Sequence, residues 1–476
     1  MVCRKFLFIV LIMSIPIIAA GQEKWTLQSC MDTAFKRNIL LNHGLLSNQI
    51  NKITLAQSKA AILPNLNLSD QQSLNAGYTS DPYTYQYSTQ SISSNSLSLN
   101  SSVTLFNGYL LLNTIRQHKL LYEAGTLDIE VAKNTLLLNI LAAFMQVLMD
   151  EEAIDETQAQ IDATQHLVET TELFVRFGKV AELNLLQVQS QLATDKLSRI
   201  TALNQLELDK IVLQQLMDVR ATTSFDIERK ALGDLIPEIP VPAEEIDGIA
   251  QAFLPDIKSA AIKTNASIVS LKMAEGGLLP KLTLTAFLKT GYSSSSSTYT
   301  ESTSYQSETI GYVNNNTSQP VIALVPLTTT NYQNEPISSQ LRNNFGQVVS
   351  LTLSVPLFNN LTAKSNVAIA KVNVQDARLN EQQSRNDVRK SIEIAYTNQV
   401  SAAKKLIATQ AQADLEKRTY SDMGKKYALG LLSPTDYLIE KNNYSRVALS
   451  LVQAKYDYVL KVKMVDFYLG KTMTLN

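Results

Sequence analysis

The residues best suited to chemistry are few and scattered in this sequence. Three histidines (His43, His118 and His166) and two cysteines (Cys3 and Cys30) are present, and their spacing matches neither a Cys/His zinc motif nor a disulfide framework. The G-x-S-x-G, G-x-x-x-x-G-K-[ST] and H-E-x-x-H patterns of hydrolases, nucleotide-binding proteins and metalloproteases do not occur. We therefore predict that the protein is not an enzyme and carries no cofactor and no metal.

The charges give no sign of a catalytic or nucleic-acid site. The densest acidic run is Asp150-Glu151-Glu152. We predict that it lies on a solvated helix face, because runs of acidic residues are found on protein surfaces far more often than in catalytic sites. Lys and Arg number 42 against 43 Asp and Glu, for a formal net charge of −1. Nucleic-acid binding needs a basic footprint, so we predict no nucleic-acid partner.

The elements that must position any site are long helices. The chain has 16 Gly and 13 Pro in 476 residues, well below average usage of roughly 7% and 5%. Between Pro82 and Pro237, and again between Pro356 and Pro434, no proline interrupts the helical spacing of apolar residues. This predicts helices over about 109–177 and 361–429. Each would be about 100 Å long and would need support from neighbours, as in a coiled coil.

Two windows between the helical stretches have a different pattern. Residues 65–107 and 281–358 are rich in Ser, Thr, Asn and Tyr, and their apolar residues alternate with polar ones. Four strands of roughly ten residues with alternating faces are typical of a transmembrane barrel, although a soluble antiparallel sheet with one wet face shows the same alternation. A barrel needs about eight strands. Four per chain therefore predict a dimer with eight strands or a trimer with twelve.

The sequence repeats itself once. The run Leu-Pro-x-Leu at 63–66 recurs at 279–282, and Leu-Phe-Asn at 105–107 recurs at 357–359, with 36 additional residues inserted between the paired strands of the second half. We predict a tandem duplication with a first repeat at 22–245 and a second at 246–476. The inserted residues predict an enlarged, exposed loop at about 293–347.

Residues 1–21 predict a signal peptide. Arg4 and Lys5 precede an apolar stretch, and Ala19-Ala20-Gly21 offers a small-residue cleavage site. The alternative is an N-terminal membrane anchor, for which the apolar stretch is short.

These motifs, together with the run Tyr427-Ala-Leu-Gly430-Leu-Leu-Ser433-Pro-Thr-Asp436-Tyr-Leu438, resemble the TolC family of outer-membrane efflux proteins. The resemblance implies an α+β membrane protein. Its homotrimer would have four strands per protomer, which complete a twelve-stranded barrel in outer-membrane lipid, continuous with a long periplasmic helical tunnel. It also implies an outer-membrane exit duct that works with a periplasmic adaptor protein and an inner-membrane transporter of the RND, ABC or MFS type.

The resemblance further implies that the helical turns are periplasmic tips. It places Asp436, six residues after Gly430, in a ring at the pore constriction, with Tyr427 beside it. From the residues alone, Asp436 could equally be a helix-capping residue, and Tyr427 could pack against a neighbouring helix. Leu432 stands where the family's best-known member has a latch arginine. The predicted tip and adaptor-contact residues are Gly178, Asn184, Leu186, Gly430, Ser433 and Leu438.

The sequence is also compatible with two other protein classes. A periplasmic coiled-coil scaffold would account for the long helices but has no need of charge-poor alternating strands. A stand-alone porin would account for the strands but has no need of helices of about 100 Å.

Overall fold

The computed structural model describes residues 24–89, 91–221, 225–229, 232, 233, 235–238, 240–315 and 317–473. The predicted signal peptide at 1–21 lies outside these residues. The first half of the chain contains α1 (Leu27–Arg37), α2 (Ile39–Ala60), β1 (Asn65–Asn75), β2 (Thr79–Ser80), β3 (Tyr87–Ser88), β4 (Ile92–Asn107), α3 (Leu110–Arg176) and α4 (Glu182–Leu216). The second contains α5 (Ala243–Phe253), α6 (Pro255–Gly276), β5 (Lys281–Ser293), β6 (Ser297–Tyr312), β7 (Pro320–Asn334), α7 (Ile337–Asn343), β8 (Gly346–Ser354), α8 (Thr362–Ala428) and α9 (Pro434–Tyr468).

The two predicted long helices are confirmed. Helices α3 and α8 each have 67 residues, and their ends lie within one residue of the predicted boundaries. Both end in a Schellman motif, in which a residue of positive φ closes the last turn. At the end of α3, Gly178 has φ 66°, its N–H donates to Val175 O and the N–H of Lys179 donates to Phe174 O. Glycine adopts this backbone conformation without steric strain.

Strands β1, β4, β5 and β8 form one antiparallel sheet in that order. The ladder register places apolar residues on one face, including Leu68 opposite Leu99 and Leu284 opposite Leu351. The other face is polar, with Ser96 opposite both Gln71 and Gly291. Strands β1 and β8 are the edges, and nearly every residue in both is exposed. The protomer thus has an amphipathic four-stranded sheet with two open edges.

The enlarged, exposed loop that we predicted at 293–347 consists largely of regular structure. Strands β6 and β7 pair in an antiparallel hairpin that runs from Ser297 opposite Asn334 to Tyr312 opposite Pro320. The short helix α7 follows it and bonds to strand β5 of the main sheet, since Thr290 Oγ1 donates to Leu341 O over 2.6 Å. The hairpin forms because its Thr- and Tyr-rich sequence has high strand propensity.

The chain divides into two compact units. One comprises residues 51–122 and 263–377 and contains the sheets; the other comprises residues 1–50, 123–262 and 378–476. The largest hydrophobic core belongs to the second unit, where α1, α3, α4 and α9 pack around Ile140, Phe144 and Leu213. A stretch of α3 is long and apolar enough to cross a membrane by length and composition. Ile140 and Phe144 belong to that helix and are almost completely buried in this core, whereas 39% of the apolar stretch as a whole is buried.

Candidate functional site

The candidate site is the pair of helical turns that link α3 to α4 and α8 to α9. Both turns begin with a glycine in the left-handed region, Gly178 at φ 66° and Gly430 at φ 72°. The N–H of Gly430 donates to Tyr427 O, and the N–H of Leu431 donates to Lys426 O, so the second turn has the same Schellman geometry as the first. Helices of equal length, 35 residues each, lead away from the two turns.

Asp436 lies at the third position of α9 and takes part in a helix cap. Its backbone N–H donates to Ser433 Oγ over 3.1 Å, and Ser433 Oγ donates in turn to Asp436 Oδ2 over 2.7 Å. Pro434 occupies the first helical position, where its missing N–H costs nothing. The predicted capping geometry is therefore confirmed. The Asp436 side chain is exposed, so its carboxylate also faces solvent at the tip, and its role at the pore constriction stays a prediction.

The first turn has no such cap. Ala181 is the residue before α4 and makes no side-chain hydrogen bond, and Asn184 occupies the position that corresponds to Asp436. The two turns differ again two residues after Asp436 and Asn184. Leu438 is 8% exposed and Leu186 is 56% exposed, which places Leu438 in the core of the tip and Leu186 on its surface.

Tyr427 is buried inside the protomer. Its side chain packs against neighbouring helices, which is the alternative to an exposed position at the pore constriction. It is 5% exposed and packs with Leu167, Val168 and Leu438. The Thr171 hydroxyl donates to Leu167 O over 2.7 Å, which leaves it to accept a hydrogen bond of 3.0 Å from the Tyr427 hydroxyl. Burial raises the pKa of Tyr427. The phenol therefore stays protonated at physiological pH and links α8 to α3.

Four tyrosines stack in a ladder, which we did not predict. The rings alternate between the two helices of the hairpin: Tyr444 of α9, Tyr420 of α8, Tyr437 of α9 and Tyr427 of α8. Successive centroids are 4.9–5.4 Å apart and the planes lie within 8° of parallel. The sequence does contain the signal, since each helix contributes two tyrosines seven residues apart. Offset aromatic stacking adds to area burial, so the ladder fixes the axial register of α8 against α9.

A buried ion pair, also missed in the sequence, lies beyond the ladder. Lys441 Nζ of α9 is 2.5 Å from Asp195 Oδ2 of α4, and the two side chains are 3% and 6% exposed. Thr164 Oγ1 of α3 also donates to Asp195 over 2.5 Å, and Gln191 Nε2 donates over 2.7 Å. A buried charge must be paired and hydrogen-bonded, and here both requirements are met. Single charges in long polar helices look alike in sequence, so nothing marked this pair.

The prediction of a solvated face for Asp150-Glu151-Glu152 is wrong. Asp150 and Glu151 are 7% and 5% exposed, because α3 packs against α4 and α9 in the main core along this stretch. Glu151 pairs with Arg229 at 2.8 Å, and Tyr456 donates to Glu152 over 2.7 Å. Burial, together with the hydrogen bond and the charge of Asp209, raises the pKa of Asp150 to about 7.

The described residues contain no group of His, Cys, Asp and Glu side chains placed to hold a metal ion. Cys30 is fully buried and unpaired, and burial raises the pKa of its thiol to about 12. The helical turns present an exposed carboxylate, that of Asp436, together with exposed apolar side chains. Such a surface can contact another protein and attract cations.

The chain is similar to known outer-membrane channels. The sequence profile of the outer membrane efflux protein family matches residues 52–218 and 323–471. Over 428 residues the chain is 22% identical to the outer membrane protein TolC of Escherichia coli strain K12, covering 88% of this chain and 76% of that one.

Solved structures show the same fold. CusC matches with a TM-score of 0.75 at 15% identity, covering 94% of this chain and 92% of that one. The Campylobacter jejuni outer membrane channel CmeC matches with a TM-score of 0.73 at 18% identity, covering 93% and 85%. VceC of Vibrio cholerae gives 0.73 at 14% identity, covering 94% and 96%.

The sheet, the long helices and the helical turns together make up the fold that these solved structures share. The chain belongs to the outer membrane efflux protein family. It is an outer-membrane exit duct of an efflux pump and extends into the periplasm.

Proposed function

We propose that three copies of this chain form the duct, with a twelve-stranded barrel in the outer membrane and a helical tunnel in the periplasm. The open edges of the sheet carry this proposal. Within the part of the chain that the structure describes, no strand pairs with the outer edge of β1 or of β8, and lipid tolerates no unpaired N–H and C=O groups. Pairing β1 of one copy with β8 of the next would give these edge groups partners along the shared length of the two strands and would close the sheet.

The two faces of the sheet support the same arrangement. The face with Leu68, Leu99, Leu284 and Leu351 would contact outer-membrane lipid, and the face with Ser96 would line the lumen. Alternation of apolar-out and polar-in residues is the pattern of outer-membrane barrels. A soluble sheet would leave the apolar face exposed to water, and that contiguous patch would be costly.

We also propose that the protomer arose by tandem duplication, with repeats at 22–245 and 246–476. The paired lengths support this. The long helices have 67 residues each, and the helices after the tips have 35 residues each. The hairpin of β6 and β7, with α7, lies where the second repeat has its 36 additional residues.

The tips would then form the periplasmic entrance and the contact with an adaptor protein, which would join the duct to an inner-membrane transporter of the RND, ABC or MFS type. Exposed apolar side chains at the tips support a protein contact, because such patches mark interaction sites. Phe177 is 75% exposed and Leu431 is 73% exposed. The proposed contact residues are Gly178, Asn184, Leu186, Gly430 and Ser433, and Asp436 would lie nearest the constriction. Leu438 and Tyr427, predicted from sequence as a contact and a constriction residue, are buried and would instead support the tip from within. A channel of this kind needs no catalytic group and no cofactor.

Chemical crosslinking of detergent-purified protein tests the assembly. We expect a trimer that resists mild heating in detergent, since the barrel and the oligomer must form together. A heat-denatured sample gives the pattern of random collisions and serves as the control. A folded monomer with full strand content would overturn the duct and leave a scaffold or a small porin. Dependence of export on a co-expressed adaptor and transporter separates the duct from a stand-alone porin.

A further inference from the structure

The segment between β1 and β4 folds back over one face of the sheet. The Tyr83 hydroxyl donates to the carbonyl oxygen of Asn95 in β4 over 2.5 Å. A Cβ atom added at Gly291 in β5 would lie 1.7 Å from the Tyr83 hydroxyl oxygen. The tyrosine can therefore lie against the strand only because residue 291 has no side chain.

The face that Tyr83 covers is the polar one. Gly291 pairs directly with Ser96, and Ser293 pairs directly with Ser94. Directly paired residues project to the same face of a sheet. Pro82 and Tyr83 line a cavity of about 320 Å³ together with Ser94, Ser96 and Lys289 of this face. Ser94 is 6% exposed, whereas Ser96, two residues further along the strand, is exposed.

A buried carboxylate holds the segment in place. Asp81 is 1% exposed. Its Oδ1 accepts hydrogen bonds of 2.8 Å from the backbone N–H groups of Tyr83 and Thr84, and its Oδ2 accepts from the hydroxyls of Ser293 and Ser295. A carboxylate with four donors organises a loop because each donor would otherwise be left unpaired on burial.

Helix α7 supports the same point from the other side. Gln340 is 3% exposed, and its Oε1 accepts from Ser293 N over 2.8 Å while its Nε2 donates to Ser293 O over 3.1 Å. Ser293 thus joins three segments: the segment at 79–88, the end of β5 and α7. All of these contacts lie at the end of the sheet opposite to Asn107, where β4 leads into α3.

We propose that residues 79–88 form a constriction at the outer mouth of the duct, folded inward over the lumen face and anchored by Asp81. This rests on the proposed barrel, in which the polar face lines the lumen. The helical end lies in the periplasm, so the opposite end of the sheet faces outside the cell. Three copies, one from each protomer, would narrow the exit and hinder large solutes that approach from outside.

Cysteine labelling on intact cells tests the constriction. Ser94→Cys and Ser96→Cys are placed on the same face, one beneath the segment and one beside it, and each is treated with a membrane-impermeant maleimide. Cys30 is 0% exposed and gives no background. We expect rapid labelling of Ser96→Cys and slow labelling of Ser94→Cys. Adding Tyr83→Ala should speed labelling at position 94 by about tenfold or more. With Tyr83 in place, the reagent reaches position 94 only in the fraction of molecules in which residues 79–88 have moved away from the sheet.

Tyr85→Ala is the matched control, because Tyr85 lies on the same segment but is 79% exposed; it should leave both rates unchanged. If Tyr83→Ala alone disturbs folding, replacing residues 79–88 by a Gly/Ser linker of equal length should give the same acceleration. Equal rates at position 94 with and without the segment would overturn the constriction. Failure of the reagent to label Ser96→Cys in any background would instead overturn the proposed lumen face itself.

Discussion

At the scale of single residues, Asp436 combines a helix cap with an exposed charge. The backbone N–H of Asp436 donates a hydrogen bond to Ser433 Oγ. Removing the carboxylate therefore leaves this hydrogen bond of the cap intact. We predict that Asp436→Ala reduces cation selectivity and block by multivalent cations in planar bilayers, while thermal stability of the trimer changes little. Three carboxylates around one axis would attract cations. Asn184→Ala, at the corresponding uncharged position, should leave selectivity unchanged. A lower melting temperature with unaltered selectivity would make Asp436 a capping residue only.

The buried pair of Lys441 and Asp195 predicts strong coupling. We expect Lys441→Met to destabilise the protein by about 3–5 kcal/mol, because it leaves Asp195 buried and unpaired. The double variant Lys441→Met with Asp195→Leu should recover most of that loss in thermal melting followed by helical circular dichroism. Lys425→Met removes an ion pair whose side chains are about 70% exposed and should change melting little. Additive losses in the double variant would contradict the coupling.

Asp150 makes stability depend on pH. Its pKa is raised by burial and by Asp209 to about 7, and a carboxyl whose folded pKa is raised destabilises the folded state once it ionises. Stability is therefore full at pH values below the ordinary pKa of 3.8 and is lost progressively as pH rises through about 7. We predict that Asp150→Asn melts at a higher temperature than the parent at pH 8 and at the same temperature at pH 4. Parallel melting curves across this range would contradict the prediction.

At the scale of elements, the inserted hairpin and α7 have separate roles. Strands β6 and β7 contact chiefly each other, whereas α7 carries the buried Gln340. A deletion of residues 300–340 would remove Gln340 together with the hairpin. We predict that residues 298–333 can instead be replaced by a two-residue turn, because Ser297 and Asn334 are direct partners. Heat-resistant trimers should persist, while deletion of 300–340 should lower their yield. Equal yields would show that Gln340 is dispensable.

At the scale of the whole molecule, the sheet edges predict where protomers meet. Edge strands β1 and β8 are separated by β4 and β5 within a protomer, too far for a disulfide, which needs Cα atoms within about 7 Å. We predict that Ser69→Cys combined with one of Val348→Cys, Ser350→Cys or Thr352→Cys gives disulfide-linked trimers on a denaturing gel. Ser98→Cys, on the central strand β4, is the matched control and should give none. Crosslinked dimers without trimers would indicate an eight-stranded barrel.

The sequence by itself determined the long helices, the four main strands, the helical turns and the family. The long helices were predictable because breakers are absent between Pro82 and Pro237 and because local propensity and periodicity extend over many turns. The main strands were predictable because alternation marks their two faces. The turns were predictable because Gly430, Ser433 and Pro434 each meet a local backbone requirement that a neighbour in sequence imposes.

Only the tertiary structure decided which polar and aromatic side chains are buried and which partners they contact. Tyr427 is buried, the acidic run at 150–152 is largely buried, and Lys441 meets Asp195 across helices that are far apart in sequence. A polar residue in a long helix has the same local pattern on a wet face as on a packed one, so its burial depends on the neighbouring helix. The inward fold at Tyr83 depends in the same way on Gly291, which is distant in sequence. Side-chain burial is therefore set by long-range packing, which leaves no periodic trace along the chain.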